Sequence, residues 1–316
     1  MSSNHPIPAR LNLALSVLSM GGCVGLLYWA SHALVLWHRA LAVGLFAFLA
    51  NTVFALLHEA VHRILHPVPW INEMVGVPLA AMFPTSLAFQ RACHLGHHRR
   101  NRTDSELFDQ YRPADSRILK SIQFYGIFTG FYWPIVPIGC ALTALFPWVP
   151  RRMARLKEET QEQTGTVAML GGIARTSMIR IQLEALFALA LHGSLIWFGV
   201  VTFKVWLVCY LTFGWIWGSL QYADHAFSIR DIREGAWNLK VSTPIRWIFL
   251  NYHLHLNHHR HPEVPWIHLP KLVQEADPFP SFWKIYLRMW RGPQPAEPMA
   301  SAFPDHALER ILEVQG

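Results

Sequence analysis

The sequence predicts an all-α integral membrane protein: one domain, 1–316, built as a four-span helical bundle with a helical cap at one end, a six-span bundle being the alternative. Three observations lead there. Of 316 residues, 52% are apolar and only 15% charged, against roughly 25% charged in an ordinary soluble domain. Mean hydropathy is +0.22. The apolar residues gather in runs of membrane-crossing length, and the charged residues lie between those runs, as do the densest groups of the 18 histidines.

Leu11 to Ala30 contains no charge, and about 20 helical residues rising 1.5 Å each cross a hydrocarbon layer of about 30 Å. It is the first predicted span, 11–30. A cleavable signal peptide is the alternative, but Tyr28, Trp29 and His32 stand where small residues would mark a cleavage site. A second span, 40–57, runs directly into His58. Two more, 183–203 and 205–222, are separated by little more than Lys204 and read as a helical hairpin. The apolar segment 122–149 is interrupted by Pro134, Pro137 and Pro147. Two crossings would need about 40 residues, and internal prolines break helical hydrogen bonding. A single crossing would strand the last histidine group across the bilayer from the others, so 122–149 is read as a re-entrant or interfacial element.

Charge sets the orientation. Arg91, Arg99, Arg100, Arg102, Arg151, Arg152, Arg230, Arg233 and Arg246 fall on the side of the histidine groups, whereas the two predicted outer turns carry only Arg39 and Lys204. Basic loops stay in the cytoplasm. Both termini and the histidine groups are therefore predicted to be cytoplasmic. The net charge of +7 is accounted for by these loops, and no nucleic-acid partner is expected. Cys23, Cys93, Cys140 and Cys209 are scattered, without a CxxC pair. Arg151 to Gly165 reads as a polar helix or linker, and 292–316 as a loosely held tail.

Three histidine groups carry the chemistry: His58-Glu-Ala-Val-His62, His94-Leu-Gly-His97-His98 and His255-Leu-Asn-His258-His259. Helical residues three and four apart share a face, so each group aims two or three imidazoles one way. A tetrahedral ion is closed by about four ligands. The eight histidines of these groups exceed that, and two metals are the economical reading. Imidazole also suits zinc, copper and nickel; a low-charge, all-imidazole pair of irons is the one that fits oxygen chemistry beside a lipid phase. A membrane metal-ion transporter is the rival from another class, but transport sites lie near the midplane, whereas these histidines gather at the ends of spans.

The groups, with the stretch from Asn251 through His255, His258 and His259 to Pro262, Pro265, Leu269 and Pro270, resemble the membrane fatty acid desaturase and hydroxylase superfamily, whose signature is three histidine boxes in this order. His97-His98 followed by Arg99, Asn101 and Asp104 is similar to the end of its second box. The resemblance runs from about residue 40 to 290. It implies a ninth ligand about thirty residues before the third box, which makes His225 that ligand, and it makes Gln221 a candidate for a water-mediated one. Gln stands here where acyl desaturases carry Asn. Glu59, Asp104, Asp224 and Glu263 are candidates to accept hydrogen bonds from the imidazoles.

Function follows from the resemblance and from chemistry. Unactivated C–H bonds of a lipid chain yield only to a strong oxidant, and two iron ions generate one from O2. The third-box tail resembles desaturases most, so insertion of a double bond into an acyl chain is the expected reaction. Alkane or fatty acid hydroxylation, decarboxylation to a 1-alkene and carotenoid ketolation are the alternatives. The chain shows no GxGxxG after a strand, no CxxCH and no cysteine cluster. A separate electron donor is implied, a ferredoxin, rubredoxin or cytochrome with its reductase.

Overall fold

A computed structural model of the protein describes residues 5–152 and 172–297. Most of the linker expected after Arg151, and the tail beyond Glu297, lie outside the described residues. The elements are almost all helical: α1 Ala9–His32, α2 Leu36–Val61, α3 Pro69–Met82, α4 Leu87–Arg100, α5 Arg117–Phe128, α6 Ile135–Leu145, α7 Met178–Trp197, α8 Phe203–Ala223, α9 Thr243–Ile248, α10 His255–Arg260 and α11 Phe282–Met289. Two strands of two residues each, β1 Gln110–Tyr111 and β2 Gln294–Pro295, pair in parallel with Gln110 opposite Gln294.

Among the described residues four helices, α1, α2, α7 and α8, are long and apolar enough to cross a membrane. The central one is α2, which packs against α1, α3, α4 and α8. From Ala50 to Val61 every residue of α2 is buried, which is why this stretch has no polar, solvent-facing side of the kind an amphipathic helix shows. The third span begins earlier than the hydropathy suggested and ends at Trp197. Ser177 caps it by accepting from the Arg180 backbone N–H, and the polar residues of its first turns are paired: Arg180 with Glu73 and Glu184, and Glu184 with the Ser86 hydroxyl at 2.8 Å. Gly199, at φ +69°, lies in the turn that follows.

The helices that overlap 122–149 are each too short to cross a bilayer alone. At 1.5 Å per residue, α5 and α6 extend only about 18 and 16 Å. The break between them is built on Gly130, at φ +86°, where a Cβ would stand 2.4 Å from the Trp215 backbone nitrogen of α8. Pro134 then caps α6, whose outward residues Ile135, Ile138, Leu142 and Leu145 are exposed.

The first residues of the expected loose tail are tied down. Gln294 N–H donates to Asp109 O at 2.9 Å, Ala296 N–H donates to Tyr111 O at 2.8 Å, and Arg230 donates to Glu297 O at 2.7 Å. Backbone pairing of this kind has no compositional signature in two residues, and Pro295 sits at the strand's end, where the missing N–H costs nothing.

Candidate metal centre

The last turn of α2 carries His58, His62 follows at its C-cap, and the helix end is fixed from outside. Arg91 donates to Val61 O at 3.0 Å and to Ala60 O at 2.8 Å while pairing with Glu73, and Asn72 donates to Ala60 O at 3.0 Å. These donors satisfy carbonyls that a helix end leaves without partners. Helix α4 presents His94, His97 and His98 from consecutive turns. His225 follows the end of α8. The short helix α10 carries His255, His258 and His259 and is held by Asn257, which donates to Leu269 O and accepts from Asn238.

These elements bring the nine imidazoles into two adjacent groups at one end of the bundle. His58, His62, His94, His98 and His258 form one; His97, His225, His255 and His259 form the other. Within each group the ligand-capable atoms lie within 4.8 Å of one another. Nε2 of His94 stands 2.9 Å from that of His62 and 3.0 Å from that of His98, which is 3.0 Å from Nε2 of His258. In the second group Nε2 of His97 and of His225 are 3.2 Å apart. The groups touch through His98 and His259, whose ring centroids are 4.4 Å apart.

Burial, reinforced by neighbouring rings, pushes His62, His94, His98, His255, His258 and His259 well below the ordinary imidazole range. The same holds for His225, against the opposing effect of the Gly235 carbonyl. At neutral pH these rings are therefore uncharged, the state a metal requires. The tautomers of two are set by oxygens. Glu106 Oε2 is 2.6 Å from His97 Nδ1 and Gly235 O is 3.1 Å from His225 Nδ1, so Nδ1 donates in each ring and Nε2 keeps its lone pair. Nε2 of His58 and both ring nitrogens of His259 are buried without a hydrogen-bond partner. Buried polar atoms rarely remain unsatisfied, and a cation in each group would take up His58 Nε2 and one nitrogen of His259. The donor set fits two metal ions.

The other residues singled out in the sequence take different places. Asp224, fully buried, has Oδ2 3.7 Å from His255 Nδ1 and Oδ1 3.8 Å from His225 Nε2, beyond hydrogen-bond length. Desolvation pushes its carboxyl well up. Gln221 accepts from the Tyr252 hydroxyl at 3.1 Å, and the Tyr252 ring packs against His58 and His255 at 5.0 and 4.8 Å. Glu59 accepts from the Trp266 backbone N–H at 3.2 Å and so anchors the third-box tail rather than an imidazole. Trp266 in turn donates from Nε1 to Asn12 of α1.

Asp104 and Glu263 are not beside the rings. Asp104 pairs with Arg230 and Arg112, and Glu263 is exposed, with His261 at 3.8 Å. The carboxylate that reaches the second box is Glu106, two residues further on. Asp104 and Glu106 share one turn of 3₁₀ helix, where each residue advances about 120°; the two side chains therefore leave in different directions. His253, His261 and His268 belong to neither group.

A clamp that the sequence did not announce holds the loop after His225. Arg102 and Asp109 form a fully buried ion pair at 2.6 Å. Asp109 also accepts from Phe227 N–H, and Arg102 donates to Ser228 O at 2.9 Å. Asn101 donates to Ile232 O and Gly235 O. Gly235 must be glycine, because a Cβ there would lie 2.1 Å from Asp231 O and 2.4 Å from Arg102 Cγ.

No curated protein sequence matches the chain. The sequence model of the fatty acid desaturase family matches residues 31–293, a stretch that takes in all nine histidines and three of the four membrane-length helices entire. The chain thus belongs to the fatty acid desaturase family, membrane oxidoreductases that use oxygen to modify lipids.

Proposed function

We propose that the protein inserts a double bond into a lipid acyl chain at a non-haem di-iron centre. His58, His62, His94, His98 and His258 hold one iron, and His97, His225, His255 and His259 hold the other. The observation that carries this reading is the pair of adjacent, largely buried imidazole groups, five rings and four, at the mouth of an apolar bundle. The ligand count favours iron over structural zinc: about four ligands close a tetrahedral structural zinc site, whereas the first group offers five imidazoles.

When bound, the two irons supply the activation of O2 that an aliphatic C–H bond demands. In balance, O2, two electrons, two protons and two substrate hydrogens become two waters, and the acyl chain keeps a carbon–carbon double bond. The protein's residues orient and exclude. Glu106 and the Gly235 carbonyl keep the Nε2 lone pairs of His97 and His225 directed at the metal. Tyr252 covers His58 and His255 and holds Gln221, the candidate for a water-mediated contact. Behind Tyr252 the rings of Phe54, Phe83 and Trp217 stack edge-on or tilted at 5.1 to 5.8 Å, an apolar wall suited to a hydrocarbon.

The third-box tail, anchored through Trp266, supports desaturation over hydroxylation, 1-alkene formation or ketolation. The histidine end carries the basic loops, which supports a cytoplasmic orientation and electron delivery there by a ferredoxin, rubredoxin or cytochrome. The test is metal analysis with a Mössbauer spectrum of the purified protein, followed by lipid profiling of cells expressing it with a reductase system. About two non-haem irons per chain and a new alkene position support the reading; zinc alone, or a hydroxylated lipid or 1-alkene as product, overturns it.

A further inference from the structure

Beside the third histidine group lies a concavity that the metal site does not use. Lys240, Arg246 and His253, with Val241, Val273 and Phe279 among the apolar residues, line a half-open pocket of about 330 Å³. Among the described residues, no acidic one lines it. Lys240 Nζ lies 6.0 Å from the centre of the Phe279 ring, and among the described residues no ion pair engages Lys240 or Arg246. His253 is only 2% exposed, yet its Nδ1 is buried without a hydrogen-bond partner. Two unneutralised cations and an unsatisfied imidazole around one hollow ask for an anion with several acceptor oxygens.

The hollow is larger than an inorganic anion and its remaining walls are apolar, so the anion it suits carries organic bulk. Depth says which kind. Trp247, next to Arg246, and Trp283, two residues after the Ser281 that bridges Lys240, are 65% and 64% exposed. Tryptophan is enriched at the level of lipid headgroups in membrane proteins.

We propose that this pocket binds the phosphate of an anionic phospholipid headgroup, with Lys240 and Arg246 as its cations and His253 as a further hydrogen-bonding partner. The site stands independently of the iron reading. Its test uses the full chain in an uncharged detergent, titrated with phosphatidylglycerol or phosphatidylcholine and followed by native mass spectrometry. The K240Q/R246Q variant, and separately V273W, which fills the pocket, are expected to weaken phosphatidylglycerol binding at least about tenfold while phosphatidylcholine binding and metal content stay at the wild-type level. Unchanged phosphatidylglycerol binding in both variants overturns the site. Full displacement of the lipid by millimolar inorganic phosphate overturns the lipid assignment.

Discussion

Nε2 of His97 and Nε2 of His225 face each other at 3.2 Å while the opposite nitrogen of each ring is committed to an oxygen, Glu106 Oε2 in one and Gly235 O in the other. Each oxygen accepts, so each ring spends its proton away from its neighbour. Two lone pairs left facing at this distance repel, and a shared cation turns that repulsion into ligation.

His225→Ala is therefore expected to lower metal content from about two ions per chain to about one and to abolish turnover. Elemental analysis of the purified variant checks the first and lipid profiling the second. Full metal content with full turnover would remove His225 from the ligand set.

The two acids of the 3₁₀ turn are expected to separate cleanly. Glu106→Gln retains an acceptor but loses the charge-assisted bond to His97, and loss of such a partner lowers metal affinity by roughly 10 to 100-fold. Asp104→Asn removes contacts to Arg230 and Arg112 only and leaves affinity within about twofold. Competition with a chelator measures both, and equal losses would contradict the assignment.

Removing one partner of a buried ion pair costs about 3–5 kcal/mol, because the other charge is left uncompensated. Asp109→Ala is expected to fall in this range, since Asp109 and Arg102 are 0% and 1% exposed. Thermal unfolding in detergent should show a large drop for D109A and a smaller one for D109L/R102M. A drop for the double variant as large as for the single one would argue against an electrostatic origin.

The apo protein should be acid-sensitive. Burial holds His62, His94, His98, His225, His255, His258 and His259 below the ordinary imidazole value of 6.5. The unfolded chain protonates these rings below about pH 6.5 and the folded chain does not, so folded stability is present above that pH and is lost as pH falls through it. Denaturant titrations of chelator-treated protein from pH 8 to pH 5 should show stability declining on the acid side. A profile flat through pH 6 would show that the rings are protonated in the folded state.

Much of this was legible in the residues. The three boxes report themselves because helical spacing and ligand geometry coincide, and the four long helices because a bilayer imposes a length. His225 was legible only through family resemblance, since a lone histidine after a span has no partner spacing. Glu106 was obscured by Asp104, an equally acidic neighbour that differs only in the direction it leaves its turn. Tyr252 and the Arg102–Asp109 clamp were hidden because their roles depend on contacts between segments far apart in the chain. The strand pair was hidden for the same reason.

That strand pair gives the far end of the polypeptide leverage on the catalytic machinery. Residue 294 hangs on the carbonyl of Asp109, whose side chain steadies the loop behind His225. A cut ahead of Gln294 unpicks this stitching. A protease nick there, remote in sequence from every box, would register as a loosened metal site.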